Sequence, residues 1–173
     1  MASQISRRSL RRGERGASAV EFALIIPLLV MLLLGTTTAG LVYADHVSLT
    51  NAAREGARYG AAADAASTSW ASSVKTRVQQ VYFNAAGTAP TNDQVCVRLI
   101  NSTGTTLASD LGTSCGTEPA APSSMDTGSC AVLVWMAKPA RISLAVVPDL
   151  HSTLSAKSVS YYGRTVGTTC TAD

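Results

Sequence analysis

From Phe22 to Ala44 no side chain carries a charge, and residues 23–42, ALIIPLLVMLLLGTTTAGLV, are an unbroken run of apolar and small groups. At about 1.5 Å of helical rise per residue this run spans about 30 Å, the thickness of a bilayer's hydrocarbon core. The pattern then changes rather than stopping. Leu49, Ala52, Ala53, Gly56, Tyr59, Gly60 and Ala63 keep the three-and-four spacing of one helical face, while His46, Asn51, Arg54, Glu55 and Arg58 occupy much of the rest. A single long helix is expected, in lipid at first and amphipathic later.

After AAADAASTS a second helix is predicted over 69–86: Trp70, Val74, Val78 with Val81, Tyr82 and Ala85 recur at helical spacing, and Gly87 should end it. Residues 94–100, QVCVRLI, alternate Val95, Val97 and Leu99 against Cys96, Arg98 and Ile100, a strand pattern. The segment 101–130 is rich in turn formers and should be a loop, with room for a short strand at Thr105–Ala108. CAVLVWMA, 130–137, is apolar on both faces and reads as a central strand ended by Lys138 and Pro139. RISLAVVP, 141–148, fits strand or helix, and 152–164 alternates as a final strand. The predicted fold class is α+β: a long N-terminal transmembrane and amphipathic helix, then a small exported domain with one helix and an antiparallel sheet of three to four strands.

Charge changes the picture by its location. The formal net charge is +3, yet residues 1–16 hold five arginines (Arg7, Arg8, Arg11, Arg12, Arg15) against Glu14, and the rest of the chain has nine basic against ten acidic residues. Arginines just before an apolar span hold that end in the cytoplasm. The remaining basic residues form no stripe or recognition motif, so nucleic acid is not an expected partner. Membrane lipid is.

All four cysteines, Cys96, Cys115, Cys130 and Cys170, follow the span, and none forms a CxxC pair. The two histidines, His46 and His151, stand near no cysteine, so neither a metal nor another cofactor is expected. On the exported side the four cysteines should form two disulfides. Three pairings exist; the expectation is Cys115 with Cys130 and Cys96 with Cys170, because the first closes the Gly/Ser/Pro-rich loop between them. There is no GxSxG, Walker loop, HExxH or Rossmann glycine set, and Asp149 beside His151 reads as a chance pairing in a loop after Pro148. Catalysis is not expected.

A secretory signal would also start basic and apolar, and VYAD at 42–45 offers Val42 and Ala44 as a small-residue cleavage site before Asp45. The apolar core is too long for that reading, and the sequence beyond it continues a helix. RRGERGASAVEFALIIPLLVMLLLG followed by LTNAAREGARYGA resembles the TadE-like minor pseudopilins of the tight-adherence (Flp) pilus system. The likeness lies in the order over residues 11–62: basic leader, Gly16, four residues, Glu21, Phe22, a proline-bearing apolar helix, then NAAREGAR. It is weaker beyond, chiefly LSAKSVSYY near the end.

The resemblance implies cleavage between Gly16 and Ala17 by a membrane-embedded prepilin peptidase on the cytoplasmic side. The chain then divides into a leader, 1–16, an assembly helix, 17–44, its amphipathic continuation, 45–66, and the exported domain, 67–173, with its cysteine-containing loop 101–130. Glu21, one helical turn after the new amino terminus, would pair with it and set the register of assembly; Phe22 replaces the tyrosine usual after this glutamate in the related pilin motif. Gly35 with Ala39, and Thr36 with Gly40, are small-xxx-small pairs that permit close helix approach. The implied partners are the prepilin peptidase, other pilins or pseudopilins, and the inner-membrane assembly platform, in a single-pass protein of the bacterial cytoplasmic membrane. Two further readings compete with this one: a membrane-anchored external binding domain outside any filament, and a secreted domain released after Ala44.

Overall fold

The computed structural model describes residues 10–86, 88–144, 147–163 and 170. Helix α1 spans Leu10–Ala62 and runs unbroken through Pro27. Its 53 residues correspond to a length of about 80 Å. Helix α2, Trp70–Ala86, is followed by a short 3-10 turn at Asn92–Gln94 and by strands β1 Val95–Asn101, β2 Thr106–Asp110, β3 Cys130–Leu144 and β4 Val147–Tyr161. They form one antiparallel sheet in the order β2-β1-β3-β4. The α+β class predicted from the sequence is the one observed. The chain divides into two compact units, one made of the helix to Leu41 with Ile142–Leu150, the other of Val42–Arg141 with the chain from His151.

The core of the second unit follows from the helical faces. Leu49, Ala52, Ala53 and Ala57 of α1 and Trp70, Val74, Val78 and Tyr82 of α2 are buried against Val95, Val97 and Leu99 of β1 and Val132, Val134 and Met136 of β3. Gly56 and Gly60 sit where the two helices meet. A methyl at Gly56 would collide with Val78, and one at Gly60 would stand 3.0 Å from Val132 and 3.1 Å from Val74. The predicted faces need two corrections: Tyr59 and Ala85 are exposed, each lying just outside the arc that its helix buries, and Ala57 is inside it. Gly87 lies outside the described residues.

The β1–β2 hairpin is made by local chemistry. Asn101 Oδ1 accepts from the amides of Thr103 and Thr105, and Gly104 takes φ +81°, a left-handed turn conformation that glycine adopts without strain. The short strand expected at Thr105–Ala108 is β2, running two residues further to Asp110.

Strand β3 passes through Lys138 and Pro139 instead of ending there. The pairing with β1 stops at Val95 opposite Met136, so Pro139 has no β1 neighbour and its missing N–H removes no ladder bond on that side. The segment 141–148, ambiguous in sequence, is strand on both sides of residues 145–146, which lie outside the description. Asp149 and His151 are accordingly on β4, not in a loop.

Cys96 is bonded to Cys115 and Cys130 to Cys170, with Cα atoms 5.8 and 5.5 Å apart, which overturns the expected pairing. The reason is strand parity. Cys130 shares the helix-facing side of the sheet with Val132 and Val134, whereas Cys96 pairs across to Trp135 on the opposite side. A Cys115–Cys130 bond would have to cross the sheet. On that opposite side Cys96, Ile100, Ala131, Leu133 and Trp135 make a second apolar cluster, covered by Cys115 and Met125 of the loop 111–129. Arg98 joins it, its Nη1 2.7 Å from Glu118 and its guanidinium 5.9 Å from the Trp135 ring.

Candidate processing and assembly segment

The residues singled out for processing and assembly all lie on α1. Gly16 and Glu21 are exposed on the first turns, Ala17 lies between them, and a methyl built on Gly16 meets nothing within 4 Å. Four residues separate Ala17 from Glu21, so both stand on the same side of the helix one turn apart. Arg11, Arg12 and Arg15 lie in the helical backbone; Arg7 and Arg8 are outside the described residues.

Beyond Glu21 the helix is apolar all round and uncovered. Phe22 is 68% exposed and Leu24 75%, and the most apolar window of the helix has none of its residues buried. A helix apolar on every side is stable in lipid or inside a bundle of like helices, and in neither case can a polar group on it, side-chain hydroxyls included, be left without a partner. The three threonines meet this condition. Thr36 donates to the Leu32 carbonyl at 3.0 Å, Thr37 to Leu33 at 2.8 Å and Thr38 to Leu34 at 2.8 Å, turning each hydroxyl back onto its own helix. Gly35 is half-buried and Ala39 and Gly40 exposed, and no atom lies within 4 Å of a methyl built on either glycine. These small residues leave a shallow lane on the helix, unlike Gly56 and Gly60, whose lane α2 and the sheet fill.

The chain regains charge at Asp45, and there the structure reveals contacts that spacing along the sequence did not suggest. Tyr82 of α2 donates its phenolic hydrogen to Asp45 Oδ1, and Lys138 of β3 places Nζ 2.8 Å from the Tyr82 oxygen and 3.7 Å from Asp45 Oδ2. Burial, together with the carboxylate it serves, holds the Tyr82 phenol well above the usual tyrosine range, so it stays a neutral donor. Ten residues further along α1, nearly three turns, Glu55 accepts from Arg58 at 3.0 Å and from Arg77 of α2 at 2.8 Å, so it bridges the helices. Lys75, only 4% exposed, reaches Asp110 at 2.7 Å and the Asn92 carbonyl at 3.2 Å, tying α2 to β2.

The far end of α1 is closed by the end of β4. Tyr162 donates to the Ala63 carbonyl at 3.0 Å and accepts from the Ala65 amide at 2.9 Å, while Trp70 Nε1 donates to the Gly60 carbonyl at 3.0 Å. These bonds satisfy backbone groups that a helix terminus leaves open.

No curated protein and no solved structure matches the chain. Residues 16–58 match the family model described as TadE-like protein, a stretch that opens at Gly16, takes in the whole apolar run and closes at Arg58. Over that stretch the chain is similar to TadE-like proteins.

Proposed function

We propose that the chain is the precursor of a minor pseudopilin, a structural and non-catalytic subunit. It inserts with its arginine-rich end in the cytoplasm, is cut between Gly16 and Ala17 by a prepilin peptidase, and enters a tight-adherence pilus or its base through the apolar helix. The observation that supports this most is the closeness of two boundaries: the family match begins at Gly16, and the charge-free run begins six residues later, at Phe22.

Cleavage would give Ala17 a new α-amino group, mostly protonated at neutral pH. Its charge stands one turn from Glu21, on the same side of the helix. In water that pairing contributes little, but in a helix bundle that excludes water an unpaired charge of either sign is costly. A subunit out of axial register would strand one or both charges, so the pair selects the register. Gly16 offers a peptidase a site without a side chain, and the lane at Gly35, Ala39 and Gly40 lets a neighbouring helix approach closely.

The test is incorporation. Glu21→Ala should still be cut but be missing from sheared pili; a variant incorporated as well as the unaltered chain contradicts the register role.

A further inference from the structure

Helix α2 runs antiparallel to residues 45–60 of α1. Trp70 and Val74 face Gly60, Val78 faces Gly56, Arg77 pairs with Glu55, and Tyr82 reaches Asp45. The carboxyl-terminal end of α2 thus comes to the level at which α1 ceases to be charge-free. Lys138 confirms the level, since its Nζ is bonded to the Thr88 carbonyl at 3.3 Å as well as to the Asp45–Tyr82 pair.

The composition of this end is unusual for a solvated surface. Residues 78–92 contain no charged side chain. Phe83 is 59% exposed, and on α1 at the same end Tyr43 is 71% and Val47 39% exposed. Among the described side chains, Asp45 and Lys138 at this level are engaged with each other and with Tyr82. Exposed aromatics, neutralised charges and direct continuity with an apolar helix are what the headgroup layer of a bilayer accepts; that layer is about 5–7 Å deep on each side, roughly one helical turn.

We infer that the end of α2 around Phe83 is a membrane-contact surface: in the membrane-held chain it rests in the interfacial layer beside Tyr43. The partner is the lipid surface itself, and the surface is continuous with the helix that enters it. This inference needs α1 to be held in a membrane but does not need cleavage or pilus assembly. Its effect is to fix the tilt of the exported unit against the bilayer before any partner arrives.

All four cysteines are in disulfides, so a single introduced thiol can be labelled without reduction. Nitroxide labels are placed one at a time at Phe83→Cys, Leu29→Cys and Tyr161→Cys in the full chain, reconstituted in nanodiscs of phosphatidylcholine and phosphatidylglycerol. Leu29 lies within the apolar helix. Tyr161 is exposed beside Tyr162, at the far end of α1. The label at 83 should collide with oxygen, which concentrates in lipid, several-fold more often relative to a water-soluble nickel complex than the label at 161 does, with 29 higher still. Equal ratios at 83 and 161 overturn the inference whether or not 29 is in lipid. If 29 also behaves as aqueous, the membrane anchor falls with it. Protection of 83 from both reagents, with spin–spin broadening between copies, marks a protein interface and likewise overturns it.

Discussion

The Tyr82 hydroxyl donates to the Asp45 carboxylate across 37 residues of sequence, joining α2 to the turn of α1 at which the charge-free run ends. Asp45 is the first charged side chain after that run, so the bond, with Lys138 beside it, ties α2 and β3 to α1 where the run ends. Tyr82→Phe should lower the stability of this unit by about 1–2 kcal/mol, the cost of leaving a part-buried acceptor one donor short. Chemical denaturation followed by tryptophan fluorescence measures it.

The same bond sets a pH dependence. The folded state holds the phenol above the ordinary tyrosine range near 10, so the unfolded chain releases this proton first as pH rises. The contribution is fully present below that range and is lost as pH climbs through it. Tyrosinate absorbance should show a late-ionising step in the unaltered chain that is missing from Tyr82→Phe.

Glycines of the two parts of α1 should respond differently to a methyl. Gly56→Ala drives a methyl into Val78 and should destabilise the unit by about 1–3 kcal/mol, more than the roughly 1 kcal/mol that alanine gains over glycine in a helix. At Gly35 and Gly40 an added methyl meets nothing within 4 Å beyond its own helical turn among the described residues, so Gly35→Ala and Gly40→Ala should leave the stability of the second unit unchanged. Any effect they have should appear only in helix association, measured by crosslinking in membranes.

Lys75 and Asp110 should also differ. Asp110→Ala leaves a buried ammonium with only the Asn92 carbonyl and should cost about 1–3 kcal/mol, whereas Lys75→Met, which removes the buried charge while keeping the stem, should cost less. Denaturant midpoints of the two variants decide the order.

Much of this architecture was legible in the sequence, and what was not shares a cause. The long helix, α2 and β1 announced themselves because each buries one face, so spacing reveals it. The disulfide pairing did not, because β3 is apolar on both sides: Val132 and Val134 look toward the helices while Leu133 and Trp135 look away, and no polar residue marks which side Cys130 takes. Nor could turn-forming composition tell that the loop 111–129 covers a face of the sheet. The Glu55–Arg77, Lys75–Asp110 and Asp45–Tyr82 pairs join residues 22 to 37 apart, beyond the reach of helical spacing, and the packing of α2 on α1 and on the sheet brings them together. In the processing segment the order Gly16, Glu21, apolar run was readable because it is local.

The proposed cleavage between Gly16 and Ala17 can be blocked at one position. Gly16→Leu should accumulate the uncut chain in the membrane, visible as the slower-migrating species on a gel.

The most direct measurement is the amino-terminal sequence of the membrane-held protein isolated from its own cells. The account predicts Ala17 as the first residue, leaving a free amino group one turn from Glu21. A terminus at Met1 or Ala2, with the arginines still attached, would contradict it, and so would one at Asp45.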